Sequence, residues 1–237
     1  MHARKLILLA GITLLAACID VTDSRGGETR TRRQSVEFEA VPQLRTEIRM
    51  PAGNLQVSGG TARIADGEFA FHDPGLEPKM EFRSGDGGGS LKVEPAREMS
   101  SVRLSGTNRW ILRLNDEIPT DLHVQLGAGE SKLDLAGLTL SGVRLEMGVG
   151  KCEMNLVGEW DRDLDVEIKG GVGELSVRVP NHVGVIADAQ GGIGHINVEG
   201  LQRKDGKYIN EAYGDTAVTL RLEIKGGIGQ INVIAAD

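Results

Sequence analysis

A Gly-x-Gly motif that recurs five times in the second half constrains the fold of this chain more than any other feature. Each copy runs into alternating apolar and polar residues, as in Gly127-Ala128-Gly129-Glu130-Ser131-Lys132-Leu133. The first glycines, at positions 127, 148, 171, 192 and 227, are 21, 23, 21 and 35 residues apart. The last gap shortens to about one repeat if residues 200–217 are an inserted loop. A period near 20 residues predicts a β-solenoid in which each copy forms one coil.

Alternation of apolar and polar residues also dominates the chain outside these copies, for example in Val36-Glu37-Phe38-Glu39-Ala40. No apolar period of 3.6 residues persists over the length of a helix, so we predict an all-β protein. The expected fold is a β-solenoid-like stack of glycine-cornered coils of about 21 residues. The alternative is a β-sandwich, because its hairpins would also give short alternating strands and glycine turns.

Alignment of the five copies assigns directions to their side chains. The second glycine of each copy is expected at a bend, where it takes a positive φ angle or lets two coils approach closely. Cys152 falls in a column that we expect to be buried, and His195 in an outward column with Glu130, Lys151, Glu174 and Gln230. Two further columns are predicted to point inward: Ala128, Val149, Val172, Ile193 and Ile228, and Leu133, Met154, Val177, Val198 and Val233.

The N-terminus has the layout of an export signal. A cationic start, Arg4-Lys5, precedes an apolar run of 14 residues from Leu6 to Ile19, which is shorter than the roughly 20 residues of a membrane-spanning helix. Leu15-Ala16-Ala17-Cys18 is similar to the lipobox of bacterial lipoproteins, in which the cysteine is acylated and becomes the first mature residue. We therefore predict a signal peptide over 1–17, a lipidated Cys18 with a flexible tether over 18–35, an N-terminal β region over 36–115 and the glycine-repeat solenoid over 116–237.

Composition limits the partners of the mature chain. Removal of residues 1–17 leaves 25 basic and 34 acidic side chains, a net charge near -9. Such a surface argues against nucleic acid, because phosphate binding needs clustered lysine and arginine. If Cys18 is acylated, Cys152 is the one remaining cysteine, so an intramolecular disulfide is excluded and the core alone must stabilise the domain.

The glycine series is accompanied by Asn108-Arg109-Trp110, Ile118-Pro119 and the later Tyr208, Tyr213 and Gly214. With these features the chain resembles the bacterial toast-rack family, which comprises exported or membrane-linked β proteins of unknown function. The second half is also similar to the C-terminal domain of LiaF-like cell-wall stress proteins. The resemblance implies a β fold and supplies no catalytic residues. LiaF-type proteins carry transmembrane helices before this domain, whereas a lipid anchor is predicted here.

No pattern in the sequence predicts an enzyme, a cofactor or a metal site. Each Gly-x-Gly runs into a strand and not into the helix that a phosphate loop requires. The histidines are scattered, and no Gly-x-Ser-x-Gly elbow is present. Asp161, Asp163 and Asp165 are the candidate carboxylates of a polysaccharide-acting enzyme. A polar turn, in which these aspartates bond to backbone amides, is the alternative.

Two segments are candidate contact sites. The inserted loop contains both tyrosines of the protein, and Tyr208, Tyr213, Arg203 and Lys204 are the residue types that dominate protein contacts. A loop that only covers the solenoid is the alternative. The chain ends soon after Ile231-Asn232-Val233-Ile234, which predicts an edge strand that could pair with a second copy, so that deletion of 230–237 would abolish association.

These features predict a non-enzymatic, lipid-anchored protein of the cell envelope, on its periplasmic or extracellular face. The membrane is reached through the N-terminal lipid, and an envelope protein or glycan is the expected partner. A regulator of envelope stress signalling, by analogy with the LiaF-like domains, is the second hypothesis. A polysaccharide-acting enzyme is the third, although only 3% of the residues are aromatic.

Overall fold

The computed structural model describes residues 29–85, 87–97 and 107–237. The predicted signal peptide and Cys18 lie outside these residues. The described chain contains one short 3-10 turn, Pro74–Leu76, and the following strands: β1 Arg30–Val36, β2 Leu44–Thr61, β3 Ala65–Phe71, β4 Pro78–Gly85, β5 Gly88–Pro95, β6 Asn108–Asn115, β7 Thr120–Asp134, β8 Leu140–Asn155, β9 Leu164–Pro180, β10 Gly184–Glu199, β11 Gln202–Lys204, β12 Lys207–Ile209 and β13 Thr219–Ala236. The prediction of an all-β fold is confirmed.

Each glycine repeat forms one long strand, and these strands stack in parallel and in register. Gly129 of β7 lies opposite Gly53 of β2 on one side and Gly150 of β8 on the other. The stack runs β2, β7, β8, β9, β13, β10. This arrangement confirms the prediction of a solenoid-like stack of glycine-cornered coils.

The strands must bend at their glycine corners. A straight strand with the 15 residues of β7 would be roughly 45 Å long. Residues 135–139, which lead to β8, span at most about 20 Å, yet Leu140 lies beside Thr120 at the start of β7. The two ends of β7 are therefore close together. We call the segment before each corner the first arm and the segment after it the second arm.

The C-terminal strand lies inside the stack and not at its edge. β13 pairs with β9 on one side and with β10 on the other along nearly its full length. The prediction that residues 230–237 form an edge strand available to a second copy is therefore wrong. The chain leaves β10 through the inserted segment and returns into the position between β9 and β10, so that β10 is the outermost coil.

The N-terminal strands close the opposite end of the stack. β1 pairs with β3, so the prediction of a flexible tether is wrong for residues 30–35. Gln34 links β1 to β4, because its Nε2 atom donates to the Pro78 carbonyl at 2.9 Å and its Oε1 atom accepts from Met80 N at 3.0 Å. Phe69 of β3 and Trp110 of β6 are register partners and pack edge to face, with their ring centroids 5.6 Å apart.

Each corner of β7, β8, β9, β13 and β10 is flanked by one large and one small residue. Leu126 and Met147, the last inward residues of the first arm in β7 and β8, accompany the small residues Ser131 and Cys152 at the start of the second arm. In β9, β13 and β10 the order is reversed, with glycine before the corner and a large residue after it: Gly170 with Leu175, Gly226 with Ile231 and Gly191 with Ile196. The core volume near the corners is thereby shared between the two arms.

Cys152 is fully buried, as predicted. Burial raises the pKa of its thiol to about 11, an effect that the neighbouring Ser131 hydroxyl partly offsets. The aligned position occupied by Leu133 in the first copy and Val233 in the last also points inward as predicted, because Leu133, Met154 and Val177 are buried.

Candidate interaction surface

The first and second glycines of the Gly-x-Gly copies form two columns that allow the corners to stack. Gly129, Gly150, Gly173, Gly194 and Gly229 all have φ angles between 124° and 144°, a region that residues with a Cβ atom rarely adopt. A Cβ atom on Gly150 would lie 1.8 Å from the carbonyl oxygen of Gly129 in the next coil. This distance is too short for any side chain to fit. The predicted reasons for the second glycine, positive φ and close approach, are both confirmed.

The residue between the two glycines points outward, contrary to the prediction for this column. Val149, Val172, Ile228 and Ile193 are 55%, 44%, 51% and 72% exposed. The reason is visible in β7, where the last buried residue before the corner is Leu126 and the first after it is Ser131. The four residues between them turn around the outside of the bend, so that the x of Gly-x-Gly lies at its tip.

These four outward side chains form a continuous apolar line, which we call the corner ridge. Strand register places them in the order Val149, Val172, Ile228, Ile193. Neighbouring strands are about 4.8 Å apart, so the ridge is roughly 14 Å long. Towards the N-terminal end it continues as the smaller, half-buried Ala128 and Ala52. The exposed apolar side chains therefore concentrate at the β10 end of the stack.

A polar column runs beside the ridge. Register aligns Glu130, Lys151, Glu174, Gln230 and His195, as predicted, and His195 is exposed. The ammonium group of Lys151 lies 3.0 Å from Glu153 and 4.0 Å from Glu174. The hydrogen bond to Glu153 and the charge of Glu174 raise the pKa of Lys151. An apolar line with a charged border is the pattern of a contact surface.

The inserted segment begins with a β-hairpin. β11 and β12 pair across a turn at Asp205-Gly206, where both φ angles are positive, as in a type I′ hairpin turn. The guanidinium carbon of Arg203 lies 5.9 Å from the centre of the Tyr208 ring. Tyr208 itself packs against the core at the end of the stack, while Arg203 and Lys204 are exposed.

The four predicted contact residues do not form one cluster. Tyr213 is 38% exposed and lines a groove on the outer face of the first arms, together with Lys207 and Arg221. Tyr208 is not among the residues that line this groove. The insertion thus covers the solenoid through Tyr208 and presents Tyr213 on a different side, so any contact role of these residues stays a prediction.

Asn210 fixes the insertion to β10. Its side chain is 5% exposed, its Oδ1 atom accepts from Val185 N at 2.9 Å and its Nδ2 atom donates to the Val183 carbonyl at 2.7 Å. One side chain thereby supplies hydrogen-bond partners to two backbone groups at the start of β10.

The aspartates 161, 163 and 165 take part in turn and ion-pair contacts. Asp163 accepts from Thr219 N at 2.9 Å and from the Arg221 guanidinium at 2.7 Å. The hydrogen bond from Arg221 lowers the pKa of Asp163. Asp161 pairs with the adjacent Arg162. Asp163 thus bonds to a backbone amide of β13 and not to one within its own turn, and the polar turn stays a prediction.

Two further observations apply to the residues that the structure describes. Within 29–85, 87–97 and 107–237, no three His, Cys, Asp or Glu side chains converge as a metal site requires. Across the same ranges, no helix has the length and apolar character needed to cross a bilayer.

Comparison with solved structures finds one with the same fold. A cell adhesion protein from Clostridium sporogenes, so assigned provisionally, superposes with a TM-score of 0.80 at 26% identity, over 88% of this chain and 100% of that chain. A provisionally assigned adhesin from Bacteroides fragilis gives a TM-score of 0.36 at 15% identity, over 88% of this chain and 98% of its own. No curated protein matches the sequence significantly. The family model described as the N-terminal domain of toast_rack, DUF2154, matches residues 25–178, and the chain therefore belongs to the toast-rack family.

Proposed function

We propose that this protein is a lipid-anchored, non-enzymatic binding module of the cell envelope, and that the corner ridge is its contact surface. The ridge carries the proposal, because it places valine and isoleucine side chains in water at exposed positions that the core does not require to be apolar. Single exposed apolar residues are common on soluble proteins, but an aligned row of them marks a contact site.

The similarity to the Clostridium sporogenes protein supports this role. The two chains share the fold over nearly their whole length, and that protein carries a provisional assignment to cell adhesion. Adhesion is a binding function that needs an exposed surface and no catalytic group. We propose an envelope protein or glycan as the partner, outside the cytoplasm.

Anchorage is proposed through a diacyl or triacyl Cys18, which would hold the protein at a membrane more firmly than a single acyl chain. Cys18→Ala should abolish incorporation of labelled palmitate in the native host and move the protein from the membrane fraction to the soluble fraction. Cys152→Ala is the matched control, because that thiol is buried in the core. Retention of the label in Cys18→Ala would contradict the anchor.

The contact surface is tested by crosslinking in the native host, followed by purification and mass spectrometry. The ridge variant is Val172→Thr with Ile228→Thr, which keeps the β-branched shape and adds hydroxyl groups at exposed positions. The comparison variant is Tyr208→Ala with Tyr213→Ala in the inserted segment. We expect an envelope component that the wild type and the tyrosine variant capture and that the ridge variant loses.

The other outcomes also discriminate. Loss of the component only in the tyrosine variant would move the contact surface to the inserted segment. Loss in neither variant would contradict both sites. If the wild type captures no envelope component above the level of an unrelated lipoprotein, the proposal of a binding module is wrong.

A further inference from the structure

The second arm of β10 has a strand neighbour on one side only. β13 pairs with β10 from Gly184 to Glu199, whereas on the opposite side β12 pairs only with Ile186 and Ala187. Among the strands that the structure describes, none covers residues 193–199 on that side. We call residues 193–199 the open edge.

The missing neighbour leaves core side chains partly in water. Ile196 and Val198 are half-buried in the open edge. Their register partners in β13, Ile231 and Val233, are only 5% and 0% exposed. One more strand beside β10 would bury this pair as the inner coils bury theirs.

The open edge carries few of the features that prevent strand pairing, because Glu199 at its end is its one acidic or basic residue apart from His195. Exposed edges in natural sheets are protected by lysine and other charged residues, by proline or by bulges. Residues 190–199 contain no lysine, arginine or proline. The other outermost strands do contain them: Arg30, Arg32 and Arg33 in β1, Pro78, Lys79 and Arg83 in β4, and Arg203 and Lys204 in β11. Among the described outer strands, this edge is thus the one without lysine, arginine or proline.

We propose that the open edge pairs with the same edge of a second copy, in an antiparallel register with the two-fold axis at Asn197. The sequence His195-Ile196-Asn197-Val198-Glu199 is self-complementary in this register. Ile196 lies opposite Val198 of the second copy, with both side chains on the core face. His195 lies opposite Glu199 of the second copy, and no two like charges meet.

The closed end of the stack makes a dimer the endpoint of this assembly. At that end β1 carries three arginines, and Gln34 bridges it to β4. A head-to-tail fibre would require β10 to pair with this protected end. Pairing of identical edges about a two-fold axis instead uses up both open edges.

Engineered cysteines in the full-length chain test the register. Residues 197 of the two copies would have Cα atoms roughly 4.5–5.5 Å apart, which is within the range of a disulfide. Asn197→Cys should therefore give a covalent dimer on a non-reducing gel after mild oxidation of the detergent-solubilised protein. His195→Cys and Glu199→Cys should each give little dimer alone and a strong dimer band when combined in one chain.

The unsubstituted chain, with Cys18 and Cys152, gives the background, and Gln202→Cys is the exposed control outside the contact. Protection of Cys152 from a maleimide in each variant shows that the variant is folded. A dimer band in Asn197→Cys no stronger than in Gln202→Cys would overturn the proposal. A strong band in His195→Cys alone would overturn the register.

A charge substitution supplies a second, non-covalent test. Asn197→Lys places two lysines opposite each other at the two-fold axis, so we expect association to weaken at least about tenfold. Gln202→Lys adds the same charge outside the contact and should leave the dimer intact. Sedimentation of the purified full chain in detergent measures both, and equal association of the two variants would contradict the proposal. Neither test depends on the envelope partner, so the dimer proposal and the proposed function can each fail without the other.

Discussion

The carbonyl oxygen of Gly173 lies 1.8 Å from the position that a Cβ atom would take on Gly229, in the next coil of the stack. Gly229 also has a φ angle of 137°. The backbones of adjacent corners therefore approach too closely for any residue except glycine. This contact explains why the second glycine recurs in every coil, and it makes the corner sensitive to a single methyl group.

Gly229→Ala should lower the free energy of unfolding by about 3 kcal/mol or more, because it adds both a backbone clash and an unfavourable φ angle. Denaturant unfolding measures the change. Gly85→Ala is the control, since a Cβ atom there meets nothing within 4 Å. It should change the free energy by less than about 0.5 kcal/mol. Similar losses in both variants would show that the corners tolerate a side chain.

The outward direction of the corner ridge predicts that its residues contribute little to stability. Val172→Thr should change the free energy of unfolding by less than about 0.5 kcal/mol, because Val172 is 44% exposed. Val177→Thr, in the same strand, buries a hydroxyl group at a fully buried position and should cost roughly 1–3 kcal/mol. Thermal or denaturant unfolding of both variants tests this. A larger loss in Val172→Thr would place that side chain in the core.

The buried thiol of Cys152 predicts low reactivity and a stability change at high pH. Its pKa of about 11 exceeds the ordinary value of 9.0, so the folded state retains the proton that the unfolded state loses. Stability should therefore be unaffected by this group below about pH 8 and decrease by up to roughly 1.4 kcal/mol per pH unit between 9 and 11. The stability difference between wild type and Cys152→Ala isolates this slope, and a constant difference over that range would contradict it. In a Cys18→Ser background, a maleimide should label Cys152 only after unfolding.

Asn210 should hold the inserted segment against β10. Asn210→Ala removes the bonds to Val185 N and the Val183 carbonyl and leaves both backbone groups without these partners. We expect a loss of roughly 1–3 kcal/mol and faster hydrogen exchange at the start of β10. Gln202→Ala, an exposed change in the same segment, should show neither effect. Unchanged exchange in Asn210→Ala would mean that other contacts fix the insertion.

The sequence by itself determined the repeating unit. The period of about 21 residues, the glycine corners and the burial of Cys152 were predictable, because each coil contacts mainly its neighbours and every coil repeats the same contacts. The direction in which the corner residues point could not be predicted. Residues 128 and 131 are an odd number apart and cannot both face inward on one flat strand, and only the four-residue turn between Leu126 and Ser131 shows which of them is buried.

The tertiary structure alone decided the order of the coils. The inserted segment carries the chain past β10, and β13 then fills the position beside β9, so that the last strand in the sequence is internal and β10 is outermost. Strand order depends on where this insertion folds, and the insertion is anchored by the contact between Asn210 and Val185. No local sequence pattern encodes a contact between residues this far apart in the chain. For the same physical reason β1 was unpredictable, because its polar residues form a strand only through pairing with β3.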